Sequence, residues 1–179
     1  MLAKVMARKT KPVLDGRDTK DYAGWDMHLD RALELNRRMP PLADVYYFSV
    51  PCSATVRNPD GTWSPKRGIE PLLVMRASLM GAYTGKTAGG ITVDETWREN
   101  DGLVNTISAT VPTGAPSRTL DRDNIEPGLW NVFQKVEGDH MWPQGGLYVQ
   151  SHDIRPFYLD LLTMISHIQN RNEQSSITG

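Results

Sequence analysis

The chain is poor in several things, and each absence removes a class of function. Its 179 residues include one cysteine, Cys52, so no intramolecular disulfide can form. A lone thiol of this kind reads as a buried or half-buried spectator rather than a nucleophile. No stretch reaches the roughly 18 apolar residues that a membrane-spanning helix needs. There is no excess of positive charge: 20 Lys and Arg stand against 21 Asp and Glu, a formal net charge of −1, which argues against nucleic acid as a partner. The early cluster Lys4, Arg8, Lys9 and Lys11 reads as a solvated tail, because no apolar signal-peptide core follows it. His, Cys and Asp nowhere gather at zinc-finger spacing. Gly-x-Ser-x-Gly, the turn that presents a nucleophilic serine, is also missing.

What is present is an ordinary globular composition, 39% hydrophobic and 23% charged, of a length that suits one domain. Residues 1–20 are polar and aperiodic, a flexible lead-in. A helix is predicted over 25–38, with Trp25, Leu29, Ala32, Leu33 and Leu35 near one face and Pro40-Pro41 stopping it. Residues 44–50, rich in aromatic and β-branched side chains, predict a buried strand ended by Pro51. Residues 57–67 are a turn-rich loop, and a second helix follows over 69–83 with Pro71 in its first turn. Residues 104–108 are either a strand end or a short helix. Residues 110–128 are loop, 129–136 a strand, and 154–170 a last helix with Asp153 as N-cap and Phe157, Leu161, Met164, Ile165 and Ile168 on one face. Residues 173–179 form a polar tail. Helices and strands alternate, which favours a layered α/β fold without internal repeats or an internal domain boundary.

Two short motifs carry chemistry. Asp101 sits in Trp97-Arg98-Glu99-Asn100-Asp101-Gly102-Leu103-Val104, and His140 closes Gly138-Asp139-His140, 39 residues later. In a Ser–His–Asp triad the imidazole takes the serine proton while the carboxylate fixes its tautomer and stabilises the imidazolium. An acid and then a base on two loops after strands fits that logic. Spacing alone does not settle it, since an Asp-Gly pair is commonly just a turn and a lone His commonly structural. His28, His152 and His167 have no obvious metal-ligand partner.

The wording of the motifs sharpens the reading. The segment 97–104 is very similar to the acid motif of the secreted triacylglycerol lipases of the staphylococcal and thermophilic-bacillus family. Leu129-Trp130-Asn131-Val132 followed by Asp139-His140 resembles that family's approach to its triad His. Asp153-Ile154-Arg155-Pro156-Phe157-Tyr158-Leu159 resembles its C-terminal helix. Trp25-Asp26, Leu35-Asn36 and Val45-Tyr46-Tyr47 fall where the family has similar pairs before a late strand, so the likeness runs over about residues 20–170.

The resemblance implies the C-terminal portion of an α/β-hydrolase over 21–172: late sheet strands with covering helices, the nucleophile half absent. It implies Asp101 as the triad acid and His140 as the general base, for hydrolysis of lipid carboxylic esters. The serine would come from an upstream segment or a separate chain, and this chain alone would be inactive and either marginally stable or associated with a partner. The alternative is a non-catalytic, lipase-like remnant that binds an apolar ligand or a partner protein. Asp21 matches one zinc ligand of thermophilic members, but a structural zinc takes about four, and the others lie upstream of anything in this sequence. The family places calcium-binding carboxylates shortly after the triad His, whereas Met141-Trp142-Pro143-Gln144-Gly145-Gly146-Leu147-Tyr148 has none. Gly68 would offer a carbonyl without partners. No cofactor is therefore expected, and Trp142 packing is a candidate anchor for the His loop. Leu72, Leu73, Met75, Leu79 and Met80 fit either an acyl groove or ordinary core. Trp63 fits either a lipid interface or its own domain. The family is secreted, although the chain shows no signal peptide.

Overall fold

A computed structural model describes residues 28–149 and 151–177. The lead-in 1–20, Asp21 and the first residues of the expected 25–38 helix lie outside this range. The first helix, α1 (Leu29–Arg38), has Asp30 in its first turn and Arg37 and Arg38 in its last, charges that complement the helix dipole. It ends as Met39 donates to the Leu35 carbonyl, ahead of Pro40.

The strand expected over 44–50 is shorter, β1 (Tyr47–Ser49), and Pro51 interrupts the extended path without ending it. The chain resumes as β2 (Cys52–Ser53) and β3 (Thr55–Arg57). Where a loop was predicted over 57–67, β3 pairs antiparallel with β4 (Trp63–Pro65). The hairpin turns at Asn58-Pro59-Asp60-Gly61, where Gly61 adopts φ +81° and donates to the Asn58 carbonyl. Alternation was hidden there by turn residues at both ends of very short strands.

The second helix, α2 (Pro71–Ala82), lies within its expected span, with Pro71 at the first position, where its missing N–H costs nothing. At its far end Gly81 crosses the β4 backbone so closely that an added Cβ would stand 2.0 Å from the Trp63 carbonyl oxygen. The small hairpin β5 (Gly85–Lys86) and β6 (Thr92–Val93) follows, and then a 3-10 turn at Glu95–Trp97 capped by the Asp94 side chain. Residues 104–108 resolve into a helix, the short α3 (Thr106–Thr110).

The 110–128 region is not all loop. It holds β7 (Ser117–Thr119), which pairs in parallel with β8 (Trp130–Val132); β1 lies on the other side of β8, giving the order β1-β8-β7. A polar three-residue edge strand between prolines leaves no periodic signal. The strand expected over 129–136 is split into β8 and β9 (Val136–Glu137), and β9 pairs in parallel with β2. The register shifts from Ser49 opposite Val132, an offset of 83, to Cys52 opposite Val136, an offset of 84. One extra residue therefore sits on the strand that leads to His140. Asn131, buried at the sheet centre, bonds the carbonyls of Tyr47 and Glu126, so its amide is satisfied.

The last helix, α4 (Arg155–Ile177), runs beyond the expected end at 170 and takes in 173–177 of the polar tail as helical backbone. The helix starts one residue later than expected, so Ile154, whose carbonyl accepts from Tyr158, holds the cap position, and Asp153 just before it accepts the N–H of Arg155. Met164 and Ile168 are buried with Ile125, against Tyr46, Phe48, Phe133 and Leu161. A second apolar cluster, Ala54, Ile69, Leu73 and Ala77 with Met141 against it, lies under the loops that carry Asp101 and His140.

Candidate active site

Asp101 occupies a turn built by its neighbours. Asn100 is fully buried: its side-chain amide donates to the Ala77 and Arg98 carbonyls, and its Oδ1 accepts the Gly102 N–H at 2.9 Å. The Asn100 carbonyl accepts from the Ala54 N–H, which ties the turn to the β2–β3 path. Gly102 takes φ +93° directly over Leu73, and a Cβ there would lie 2.8 Å from the Leu73 Cβ. Gly102 is thus required twice over, once by backbone conformation and once by close approach.

That turn aims the carboxylate. Asp101 Oδ1 accepts the N–H groups of Leu103 at 2.9 Å and Val104 at 2.7 Å. Oδ2 is left to face His140 Nδ1, also at 2.9 Å. The His140 backbone N–H donates to the Asp101 carbonyl at 3.0 Å, a second tie between the same two residues. Asp101 is buried, whereas about a third of the His140 side chain is exposed (35%). A carboxylate held on Nδ1–H leaves Nε2 as the basic nitrogen of the neutral ring. The arrangement can therefore accept a proton at Nε2.

A second buried carboxylate, Asp139, directs both oxygens to backbone amides: Oδ1 accepts from Met141 and Oδ2 from Glu70, each at 2.9 Å. Glu70, also fully buried, accepts through Oε1 the N–H groups of Leu147, Tyr148 and Val149 at 3.1, 2.7 and 2.9 Å. Sequence reading did not single out Glu70. The only available signal was an acidic residue set before a helix-opening proline, an unfavourable place to bury charge without amides to receive it.

Trp142 packs as the sequence suggested. Its indole covers Gly138, where a Cβ would stand 2.7 Å away, stacks on His152 with centroids 5.4 Å apart, and meets Phe157 edge-on at 5.3 Å. Cys52 is buried nearby; burial, and then the charges of Asp101 and Asp139, push its thiol up to about 12. It stays protonated at neutral pH and is a poor nucleophile.

No group of three or more His, Cys, Asp and Glu among the described residues is placed to hold a metal. The loop after His140 turns N–H groups inward, which suits an anion and disfavours a cation. Asp21 lies outside the described residues. Of the α2 residues that fit either a groove or ordinary core, Leu73 is core, whereas Leu72, Met75 and Leu79 are exposed. A cavity of about 80 Å³ beside α1 is lined instead by residues including Leu29, Leu33, Ile91 and Trp97. Trp63 is half-buried, its backbone lying against Gly81.

No protein-family model matches the chain. Comparison with known proteins does find relatives. A lipase of Staphylococcus hyicus is 26% identical over 125 residues, covering 69% of this chain and 18% of that protein. Lipase 1 of Staphylococcus aureus is 30% identical over 126 residues, covering 69% of this chain and 17% of that protein. The chain thus spans less than a fifth of the curated relatives it matches. Among solved structures, EstA from Clostridium botulinum superposes with a TM-score of 0.77 at 30% identity, over 87% of this chain and 38% of that one. Staphylococcus hyicus lipase superposes with a TM-score of 0.72 at 23% identity, over 88% and 39%, which speaks to the fold. The chain is a homologue of the staphylococcal lipases and carries an α/β lipase-like fold, as expected of a C-terminal part of such a lipase.

Proposed function

We propose that this chain supplies the acid and base of a Ser–His–Asp triad that hydrolyses lipid carboxylic esters. The observation that carries this is the 2.9 Å bond between His140 Nδ1 and Asp101 Oδ2, made by residues 39 apart on two separately built loops. In this reading His140 Nε2 takes the proton of a serine hydroxyl as the oxygen attacks the ester carbonyl. It then gives that proton to the departing alkoxide, and repeats the cycle with water. Asp101, oriented by the Leu103 and Val104 amides, holds the ring's tautomer and stabilises the imidazolium. The sequence has no Gly-x-Ser-x-Gly, so the hydroxyl comes from residues outside these 179, and the fold is the late-strand portion of an α/β-hydrolase. The lipid class rests on the relatives, which bear the name lipase. Secretion belongs to the same reading.

The test has two arms. The purified chain treated with a serine-directed phosphonate should form no covalent adduct; labelling would overturn the missing-nucleophile account. The product of the native locus, with any adjoining coding sequence, should hydrolyse tributyrin. Asp101→Asn should lower that rate by a factor on the order of 10⁴, as loss of the tautomer-fixing acid does elsewhere. Absence of hydrolysis would favour the second reading, a non-catalytic domain that binds an apolar ligand or a partner.

A further inference from the structure

His140 opens a loop with little regular structure to hold it. The described residues of the loop, 141–149 and 151–152, contain one 3-10 turn, Trp142–Gln144, followed by two glycines at positive φ, Gly145 (+86°) and Gly146 (+73°). Side chains do not pin the far part of this loop, since Leu147 and Val149 are exposed and Tyr148 is 85% exposed. Their backbone amides do. The N–H groups of all three converge on Glu70 Oε1, a side chain with 0% exposure. Successive N–H groups converging on one carboxylate oxygen form a well-known cradle.

Glu70 also grips the near side of His140. Its own N–H donates to Asp139 Oδ2, while Asp139 Oδ1 holds the Met141 N–H. Position 70 therefore touches the residue before His140 and the loop after it, from the start of α2. Pro71 contributes to this geometry: the residue before a proline is driven out of the helical region, and Glu70 sits at φ −55°, ψ 130°. That conformation keeps the Glu70 backbone out of the helix.

We propose that Glu70 is a positioning residue for His140: a buried carboxylate that, with Asp139, fixes the loop by its amides and so sets the imidazole against Asp101. The anchor is a carboxyl side chain where the resemblance implies a cation. The loop presents donors, the opposite polarity to a calcium site. The proposal rests on the acid–base reading of His140, so its test uses one readout for the anchor and another for the ring.

Amide hydrogen exchange at Leu147, Tyr148 and Val149 reads the anchor. The Nδ1-bound proton of His140, seen by NMR at low field, reads the Asp101 bond. Glu70→Ala should speed exchange at the three amides by about tenfold or more and broaden or erase the His140 signal. Glu70→Gln, isosteric and still an acceptor, should fold if the alanine variant does not, and should give a smaller acceleration with partial retention of the ring signal. A role limited to stability would accelerate exchange evenly across β1, β8 and α2 and leave the ring signal in place while the protein is folded. That outcome, or unchanged exchange at the three amides in Glu70→Gln and Glu70→Ala, overturns the proposal. Protection of the three amides that rises on adding millimolar calcium, or falls with chelator, also overturns it. His140→Ala should keep the three amides protected while abolishing the ring signal. Failure of hydrolysis with the Glu70 results intact would therefore count against the proposed function and not against the anchor.

Discussion

The two apolar clusters of this molecule are held together differently. The one beneath the candidate site joins Ala54, Ile69, Leu73 and Ala77, small or tightly enclosed side chains over which loops are fastened by buried polar groups: Asn100, Asp101, Asp139, Glu70 and Thr106. The one between α4 and the three-stranded sheet joins Ile125, Met164 and Ile168 with half-buried aromatic rings, Phe133 meeting Phe157 at 6.1 Å. Hydrophobic burial is non-directional and tolerates local adjustment; hydrogen-bonded carboxylates with close backbone contacts do not. The difference teaches that the α4 side supplies bulk cohesion, whereas the Leu73 side supplies position.

Paired truncations should break this contrast most severely. Leu73→Ala, at 1% exposure, should lose about 2–5 kcal/mol in denaturant unfolding. It should also broaden the low-field His140 proton, because Leu73 supports the Gly102 turn. Met164→Ala should lose toward the lower end of about 2–5 kcal/mol, its neighbours being free to relax, and should leave the His140 proton unchanged. Equal disturbance of the ring by both variants would erase the distinction between the two regions.

A smaller effect should come from Gly102→Ala, which adds a methyl group at φ +93° against the Leu73 Cβ. A cost of about 1–3 kcal/mol is expected, with loss of the His140 proton out of proportion to the loss of stability. An unaltered ring signal would show that the turn has slack.

Smallest at neutral pH is the effect of Cys52. Its folded pKa, about 12, exceeds the ordinary thiol value of 9.0 because of burial and the neighbouring Asp101 and Asp139 charges. A group whose pKa is raised by folding favours the native state fully below the unfolded value and loses that contribution as pH rises. Stability should therefore fall between about pH 9 and 12 in the parent and fall less in Cys52→Ala. Alkylation of the native thiol at pH 8 should be slow and should become fast on unfolding; rapid native labelling would contradict its enclosure.

Much of the site was legible because its residues carry local signatures. Asp101-Gly102 demands a turn, and Asp139-His140 follows a β-branched and aromatic run, so both loops and their order could be read. Pro71 and the apolar run behind it marked α2, and Asp153 marked the start of α4. The hairpin of β3 and β4 and the edge strand β7 were not legible, because strands of three residues have almost no period. Nor was the choice between groove and core for the α2 stripe: it divides into a buried Leu73 and exposed Leu72, Met75 and Leu79, with Leu73 on the same face as Gly81, which meets the β4 backbone.

The sequence by itself determined the local chemistry: an acid in a glycine turn, a base after a strand, a helix opened by proline, and a His loop without carboxylates. Those properties depend on neighbours within a few residues, through backbone dihedrals and side-chain type. Only the tertiary structure decided that Asp101 and His140 meet, across 39 residues, and that Glu70 receives three amides from 77 to 79 residues away. Such pairings arise from the packing of whole elements, here α2 against β4 and β2 against β9. A glutamate beside a proline has no local property that reveals which amides will converge on it.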